Sequence, residues 1–314
     1  MEQRWIGFDI GGTKCAVVTG VWDGERMSVT FREQIGTGAP RATVDALCDI
    51  LQGRLGEGGL APYLAAGVSC GGPLDAHRGL VLSPPNLPGW DEIPICAWIE
   101  KRIGKPTFLC NDANACALAE WQSGAGRGTD NMIFLTFGTG LGAGLILDGR
   151  LYHGRRDLAG EVGHVCLEDR GPVGYGKAGS FEGFCSGGGL RALGRRVAME
   201  EGIADPEDLD AKELTKRARA GEPYALETFE RCGEKLGKGL AMLFDVLDPD
   251  RVVIGSMFVR CEDLLRPPME RVLSAEALGG AECCPRVVPA QLGESLGDIA
   301  ALCVARDGYL QSRT

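Results

Sequence analysis

An asparagine and an aspartate, Asn111-Asp112, stand between a short apolar run, Phe108-Leu109-Cys110, and an Ala/Leu/Glu-rich stretch that reads as a helix. A carboxylate where a strand ends and a helix begins stays ionised near the helix N-terminus, and open α/β sheets bind ligands at such strand ends. Asp112 is therefore a candidate base or ligand-holding group with Asn111 as its polar neighbour; the alternative is a plain N-cap. Two glycine turns add a second chemistry. Gly11-Gly12-Thr13-Lys14 follows an apolar run from Arg4 to Ile10, and Gly138-Thr139-Gly140-Leu141-Gly142 follows one from Asn131 to Phe137. The N–H groups of such turns form anion-binding concavities, and a threonine hydroxyl and a lysine ammonium suit phosphate further. Two such loops would grip a polyphosphate, although each alone is more often a plain hairpin turn. The Walker spacing G-x-x-x-x-G-K-[ST] is absent from the first. Glu161 and His164, three residues apart, and Glu182, in the glycine-rich run from Gly171 to Gly189, supply acceptors and donors for the hydroxyls of a polyol. For His164 a purely structural use weighs as much.

The elements that must position these residues repeat. Arg4 to Ile10 predicts a strand, Cys15 to Val21 its hairpin partner, and Asp23-Gly24 the next turn; Asn131 to Phe137, Ala143 to Leu147 and Asp148-Gly149 repeat the order. The offsets, 127 from Gly11 to Gly138 and 125 from Asp23 to Asp148, are those of a duplicated unit. Between the hairpins, Arg41 to Leu55 reads as a helix and Leu64 to Ser69 as a strand that runs into Gly71-Gly72-Pro73. The rigid loop Pro84 to Trp90 then offers Asn86 and an indole, either to a ligand or to packing. Further on, Leu190, Leu193 and Val197 mark one helix. Leu226, Phe229, Leu236, Leu240, Leu243 and Leu247 give a long one an apolar stripe read as core. Arg251 to Gly255 predicts another strand, and Leu292 to Tyr309 a turn and a last helix with Asp298 near its start.

Composition narrows the partners. The 314 residues suggest about two domains. With 33 Lys and Arg against 43 Asp and Glu, a net charge of −10 argues against nucleic acid or an anionic membrane. Thirteen cysteines, an odd number without a signal peptide ahead of them, suggest reduced thiols in a cytoplasmic protein, and no run reaches the length of a membrane span.

Asp9-Ile10-Gly11-Gly12-Thr13-Lys14, Asn111-Asp112-Ala113-Asn114-Ala115, Phe137-Gly138-Thr139-Gly140-Leu141-Gly142 and Gly160-Glu161-Val162-Gly163-His164 follow one another in this order. As a set they resemble the ROK family of bacterial sugar kinases, repressors and open-reading-frame kinases, within the actin-like ATPase superfamily. The resemblance, from about Trp5 to Ala305, implies an α/β protein of two duplicated ribonuclease-H-like domains with an interdomain cleft. It divides the chain into a small domain, 1–112 plus 299–314, and a large one, 113–298. It implies ATP with Mg²⁺, a hexose or N-acetylhexosamine as substrate, and a homodimer. Asp112 matches the family's general base. Asn111, Glu161, His164 and Glu182 match its sugar-binding positions, with Gly72 and Asn86 less closely aligned. Asp9, Gly11, Gly12, Thr13 and Lys14 match the first phosphate loop, with the aspartate near Mg²⁺. Gly138, Thr139 and Gly140 match the second, and Gly255 the adenosine loop, where Ser256 replaces a frequent second glycine. Many members bind zinc through a histidine and three cysteines. Here those cysteine positions read Val173, Tyr175 and Ser180, so no structural zinc is expected. The expected activity is ATP-dependent phosphorylation of a hexose, glucose first. N-acetylmannosamine, N-acetylglucosamine or fructose kinase is the alternative, and a non-catalytic sugar sensor a remoter one. A DNA-binding role is not expected, since the first strand begins about four residues in.

Overall fold

The computed structural model describes residues 2–56, 59–203 and 209–313. In chain order it opens with the antiparallel strands β1 (Gln3–Ile10), β2 (Lys14–Trp22) and β3 (Met27–Gly36) and helix α1 (Pro40–Leu55). Strand β4 (Tyr63–Cys70), a small hairpin of β5 (Leu74–Asp75) and β6 (Leu80–Val81), α2 (Ile95–Ile103), β7 (Thr107–Asn111) and α3 (Asp112–Ser123) follow. Next come β8 (Met132–Phe137), β9 (Leu141–Leu147), the two-residue β10 (Arg150–Leu151), and a second hairpin of β11 (Val173–Gly174) and β12 (Lys177–Ala178). The helices α4 (Phe181–Phe184), α5 (Gly187–Glu200), α6 (Ala211–Arg219) and α7 (Pro223–Leu247) lead to β13 (Arg251–Ile254), α8 (Met257–Glu276), β14 (Val287–Pro289) and α9 (Leu296–Gln311).

The chain forms two compact units: Met1–Gly128 with Arg150–Ala159 and Gln291–Thr314, and Thr129–Gly149 with Gly160–Ala290. These bounds differ from the expected breaks after Asp112 and before residue 299. Helix α3 stays with the first unit because it packs on α9 and because buried Glu120 accepts the amides of Gln291 and Leu292, both at 2.9 Å.

In the first unit the sheet order is β3-β2-β1-β4-β7, with β4 and β7 parallel to β1. The register sets Ile10 beside Cys70 and Cys70 beside Asn111, so three parallel strands end level. Gly11, Gly71-Gly72 and Asp112 therefore leave the sheet side by side. Phe8, Val17, Leu47, Leu51, Val68 and Ile99 fill one face of the sheet, each worth about 1.5–3 kcal/mol when fully buried. On the other face α9 lies so close that a Cβ on Gly67 would stand 2.2 Å from the carbonyl oxygen of Ala301.

The second unit repeats the plan. Strands β9-β8-β13-β14 lie in that order, β9 antiparallel and β13 parallel to β8, as β2 and β4 are to β1. The expected strands are found within two residues of their bounds, while the helices α5 and α7 begin three residues before the first apolar position read for them, at Gly187 and Pro223, and α9 begins at Leu296. One expectation fails and one open choice is settled. The stripe of α7 does not all go to the core: Leu226 is 42% exposed, while Phe229, Leu236 and Leu240 are buried. Trp90 belongs to packing, since it is buried and its Nε1–H donates to the carbonyl of Gly38 at 3.2 Å.

Candidate active site

Asn111 ends β7 and caps α3, its Oδ1 accepting the amides of Ala113 at 2.9 Å and Asn114 at 3.3 Å. This decides between the two readings of the dipeptide: asparagine is the cap, and Asp112 is the first helical residue. The Asp112 side chain also accepts the amide of Ala113 at 2.8 Å and remains reachable from solvent. Desolvation by the surrounding protein nonetheless pushes its carboxyl up, against the pull of the Ala113 amide. A carboxylate that is accessible yet made more basic is suited to take a proton from a hydroxyl.

The first unit gathers the predicted residues of its half around this point. The Gly11 amide closes a tight turn on the carbonyl of Lys14 at 3.1 Å, leaving the Thr13 and Lys14 side chains exposed. A Cβ on Gly12 would lie 2.4 Å from the Asn86 carbonyl oxygen, and one on Gly72 3.4 Å from Asn111 Nδ2. Thus Asp9, Gly11, Gly12, Thr13, Lys14, Gly72, Asn86, Asn111 and Asp112 form one constellation. Asp9 has its pKa raised from 3.8 to about 6, by burial first, then by the charges of Asp298 and Asp112, with Arg32 opposing. Asp298 and Asp112 thus lie near enough to Asp9 to act on its charge, but among the described residues no three such side chains are gathered as a metal-binding group.

Arg32, and its pairing with Asp298, are the neighbours of Asp9 that the sequence did not reveal. Arg32 Nε donates to Asp298 Oδ2 at 2.8 Å and Oδ1 at 3.1 Å. Arg32 lies on β3, an edge strand whose alternation of Met27, Val29, Phe31 and Ile35 went unread, and most of whose other side chains are exposed.

The second unit gathers the rest. The Gly138 amide bonds the carbonyl of Gly140 at 3.1 Å, and the Gly187 amide bonds that of Gly138 at 2.8 Å. Glu182 Oε2 accepts the amide of Leu141 at 3.0 Å, which draws Glu182 to the loop of Gly138, Thr139 and Gly140. Gly160 has φ 89°, and a Cβ there would meet the Ala143 carbonyl oxygen at 2.1 Å, so only glycine lets the chain turn into Glu161. A Cβ on Gly163 would come within 3.2 Å of Glu182 Cβ, bringing Glu161, His164 and Glu182 into one neighbourhood. Gly255 precedes Ser256, which sits at φ 51°, a conformation costly for a residue with a Cβ, so the glycine frequent there in the family has a steric reason.

Where the family's zinc ligands would stand, the donors do not fit the metal. Val173 and Tyr175 offer no thiolate, and buried Ser180 caps α4 by accepting the Gly183 amide at 3.0 Å. The loop is held by other means. Tyr175 packs edge-on against His164 at 5.0 Å between ring centres, Lys177 Nζ donates to the His164 carbonyl at 2.7 Å, and β11 pairs with β12.

Comparison with known proteins agrees with this geometry. The profile of the ROK family matches residues 5–307, and the chain belongs to that family. Glucokinase from Thermotoga maritima is 30% identical, over 98% of this chain and 98% of its own. N-acetylmannosamine kinase from Haemophilus influenzae is 31% identical, over 98% of this chain and 97% of its own. Among solved structures, a ROK family glucokinase from Streptomyces griseus in complex with glucose and AMPPNP superposes with a TM-score of 0.73 at 32% identity, covering 97% of this chain and 100% of that one. Among the described residues no helix is long and apolar enough to cross a membrane.

Proposed function

We propose that this protein transfers the γ-phosphoryl group of ATP to a hydroxyl of a hexose, with glucose as the first candidate acceptor. The observation that carries the reading is Asp112, an accessible carboxylate made more basic by its surroundings, at the level ends of three parallel strands beside a glycine turn. Phosphoryl transfer is mostly positioning and charge stabilisation, so an aligned carboxylate suffices to accept the hydroxyl proton. Asn111, Glu161, His164 and Glu182 hold sugar hydroxyls, with Gly72 and Asn86 shaping the wall. The turns at Gly11–Lys14 and Gly138–Gly140 receive the phosphates, and Gly255 admits the adenosine. Magnesium brought with the nucleotide would be met by Asp9 and would supply neutralisation of the phosphate charge. The N-acetylmannosamine kinase relative makes that sugar the second candidate. Function as a cytoplasmic homodimer rests on the family resemblance.

The test is a coupled ADP-release assay with Mg-ATP and a panel of glucose, mannose, fructose, N-acetylmannosamine and N-acetylglucosamine. Sugar-dependent ADP release is expected with at least one of them. Removing a positioned base typically costs about 10²–10⁴ in rate, so Asp112→Asn should lose that much kcat while KM for the sugar changes little. Sugar binding by calorimetry without ADP release from any sugar would replace the kinase with a sensor.

A further inference from the structure

The hairpin of β11 and β12 turns through two residues. Gly174 pairs with Lys177, so Tyr175 and Gly176 form the whole loop, and both have positive φ, 46° and 79°. Two central residues of positive φ define the type I′ turn, whose favoured sequence is Asn-Gly, Asp-Gly or Gly-Gly. Gly176 suits its place. Tyr175 does not, because a residue with a Cβ and a bulky ring is disfavoured in the left-handed region. Burial does not offset the strain: the side chain is one of the exposed large ones, at 66%, and its hydroxyl makes no hydrogen bond among the described residues. Residues held in rare backbone regions gather at ligand-binding sites, and strain without compensating packing points to such a use.

What Tyr175 touches is His164. The two rings meet edge to face, with 5.0 Å between centres and 76° between planes. His164 is itself exposed, and its imidazole makes no hydrogen bond or ion pair among the described residues. Its backbone, by contrast, is held at both ends. The amide donates to the Glu161 carbonyl at 3.2 Å, and the carbonyl accepts Lys177 Nζ at 2.7 Å. One short hairpin therefore supplies both holds, Lys177 on the main chain of His164 and Tyr175 on its ring. With the backbone fixed and the imidazole in solvent, the tyrosine ring is the contact that favours one side-chain rotamer over the others.

We propose that Tyr175 is a positioning residue for the sugar: held in a strained turn, its ring fixes the His164 imidazole in the orientation that meets a sugar hydroxyl. The inference rests on the reading of His164 as a sugar contact. Such a contact lies away from the reacting atoms and serves substrate and transition state alike, so its loss raises KM for the sugar and leaves kcat in place. An edge-to-face pair is worth a factor of about five in an equilibrium constant.

Tyr175→Asn separates this use from a structural one, since it restores the favoured Asn-Gly turn and removes the ring. The variant should melt no lower than wild type. Calorimetric titration with glucose and with N-acetylmannosamine should give, for the sugar that wild type binds, a Kd weaker by about fivefold. In the ADP-release assay KM for that sugar should rise by the same factor, with kcat and KM for ATP unchanged. Tyr175→Phe keeps the ring and should restore wild-type sugar affinity. A wild-type Kd in Tyr175→Asn would overturn the proposal, and so would a lower melting temperature or failure to fold, because the ring would then serve the fold. Tyr175→Phe as weak as Tyr175→Asn would also overturn it, making the hydroxyl a direct sugar contact. All of these leave the sugar reading of Glu161, His164 and Glu182 standing; binding of neither sugar by wild type would remove that reading and this proposal with it.

Discussion

Replacing Asp9 by asparagine removes a charge that the fold holds at a cost. The native carboxyl titrates at about 6 against an ordinary 3.8 because it is buried and faces Asp298 and Asp112, with Arg32 as the opposing charge. Between these two pH values the native state binds the proton more tightly than the unfolded chain, so stability falls as pH rises through that window. At about 1.4 kcal/mol per pH unit, the ionised carboxyl costs the ligand-free protein about 3 kcal/mol by pH 7. Asp9→Asn keeps the shape without the charge. Urea unfolding at pH 7.5, without nucleotide or magnesium, should show a variant more stable by up to about that amount, and at pH 4 the gain should vanish because the wild-type carboxyl is then protonated. ADP release should be lost in the same variant, and Mg-ATP should raise the wild-type unfolding temperature more than the variant's. A variant no more stable than wild type at pH 7.5, or a gain undiminished at pH 4, would refute the reasoning.

Three further outcomes are expected. Protein purified without added metal should contain no stoichiometric zinc by elemental analysis, and Tyr175→Ala should speed proteolysis within residues 171–180 by removing the ring that packs on His164. Glu120→Leu takes the acceptor from the Gln291 and Leu292 amides at a fully buried position, and should cost about 3 kcal/mol in urea unfolding; Glu120→Gln, which keeps one acceptor oxygen, should cost less than half of that.

The parts of the site that were legible in the sequence are those where backbone chemistry writes itself into residue type. Glycine turns after apolar runs located both loops proposed to receive phosphate, and the strand-to-helix change at Asn111 located Asp112. The duplicated hairpin was visible because both copies use the same turn residues. What escaped was long-range pairing. Arg32 and Asp298 are 266 positions apart, and neither stands in a motif. The hold of Glu120 on Gln291 spans 171 positions and leaves no periodic trace. The way the loop around Tyr175 dispenses with thiolates also needed coordinates, because a ring contact between His164 and Tyr175 has no spacing signature.

The close approach of α9 to β1 and β4 bears on how the chain is made. Gly7, Gly20 and Gly67 have no space for a side chain because Ala301, Leu302 and Val304 press against them, yet the ribosome delivers those partners last. At about 5–20 residues per second, the opening sheet waits tens of seconds with one apolar face uncovered. Its bare glycines can meanwhile pair with nothing of their own, so a nascent chain stalled before residue 296 should be a strong client for chaperones that shield such surfaces.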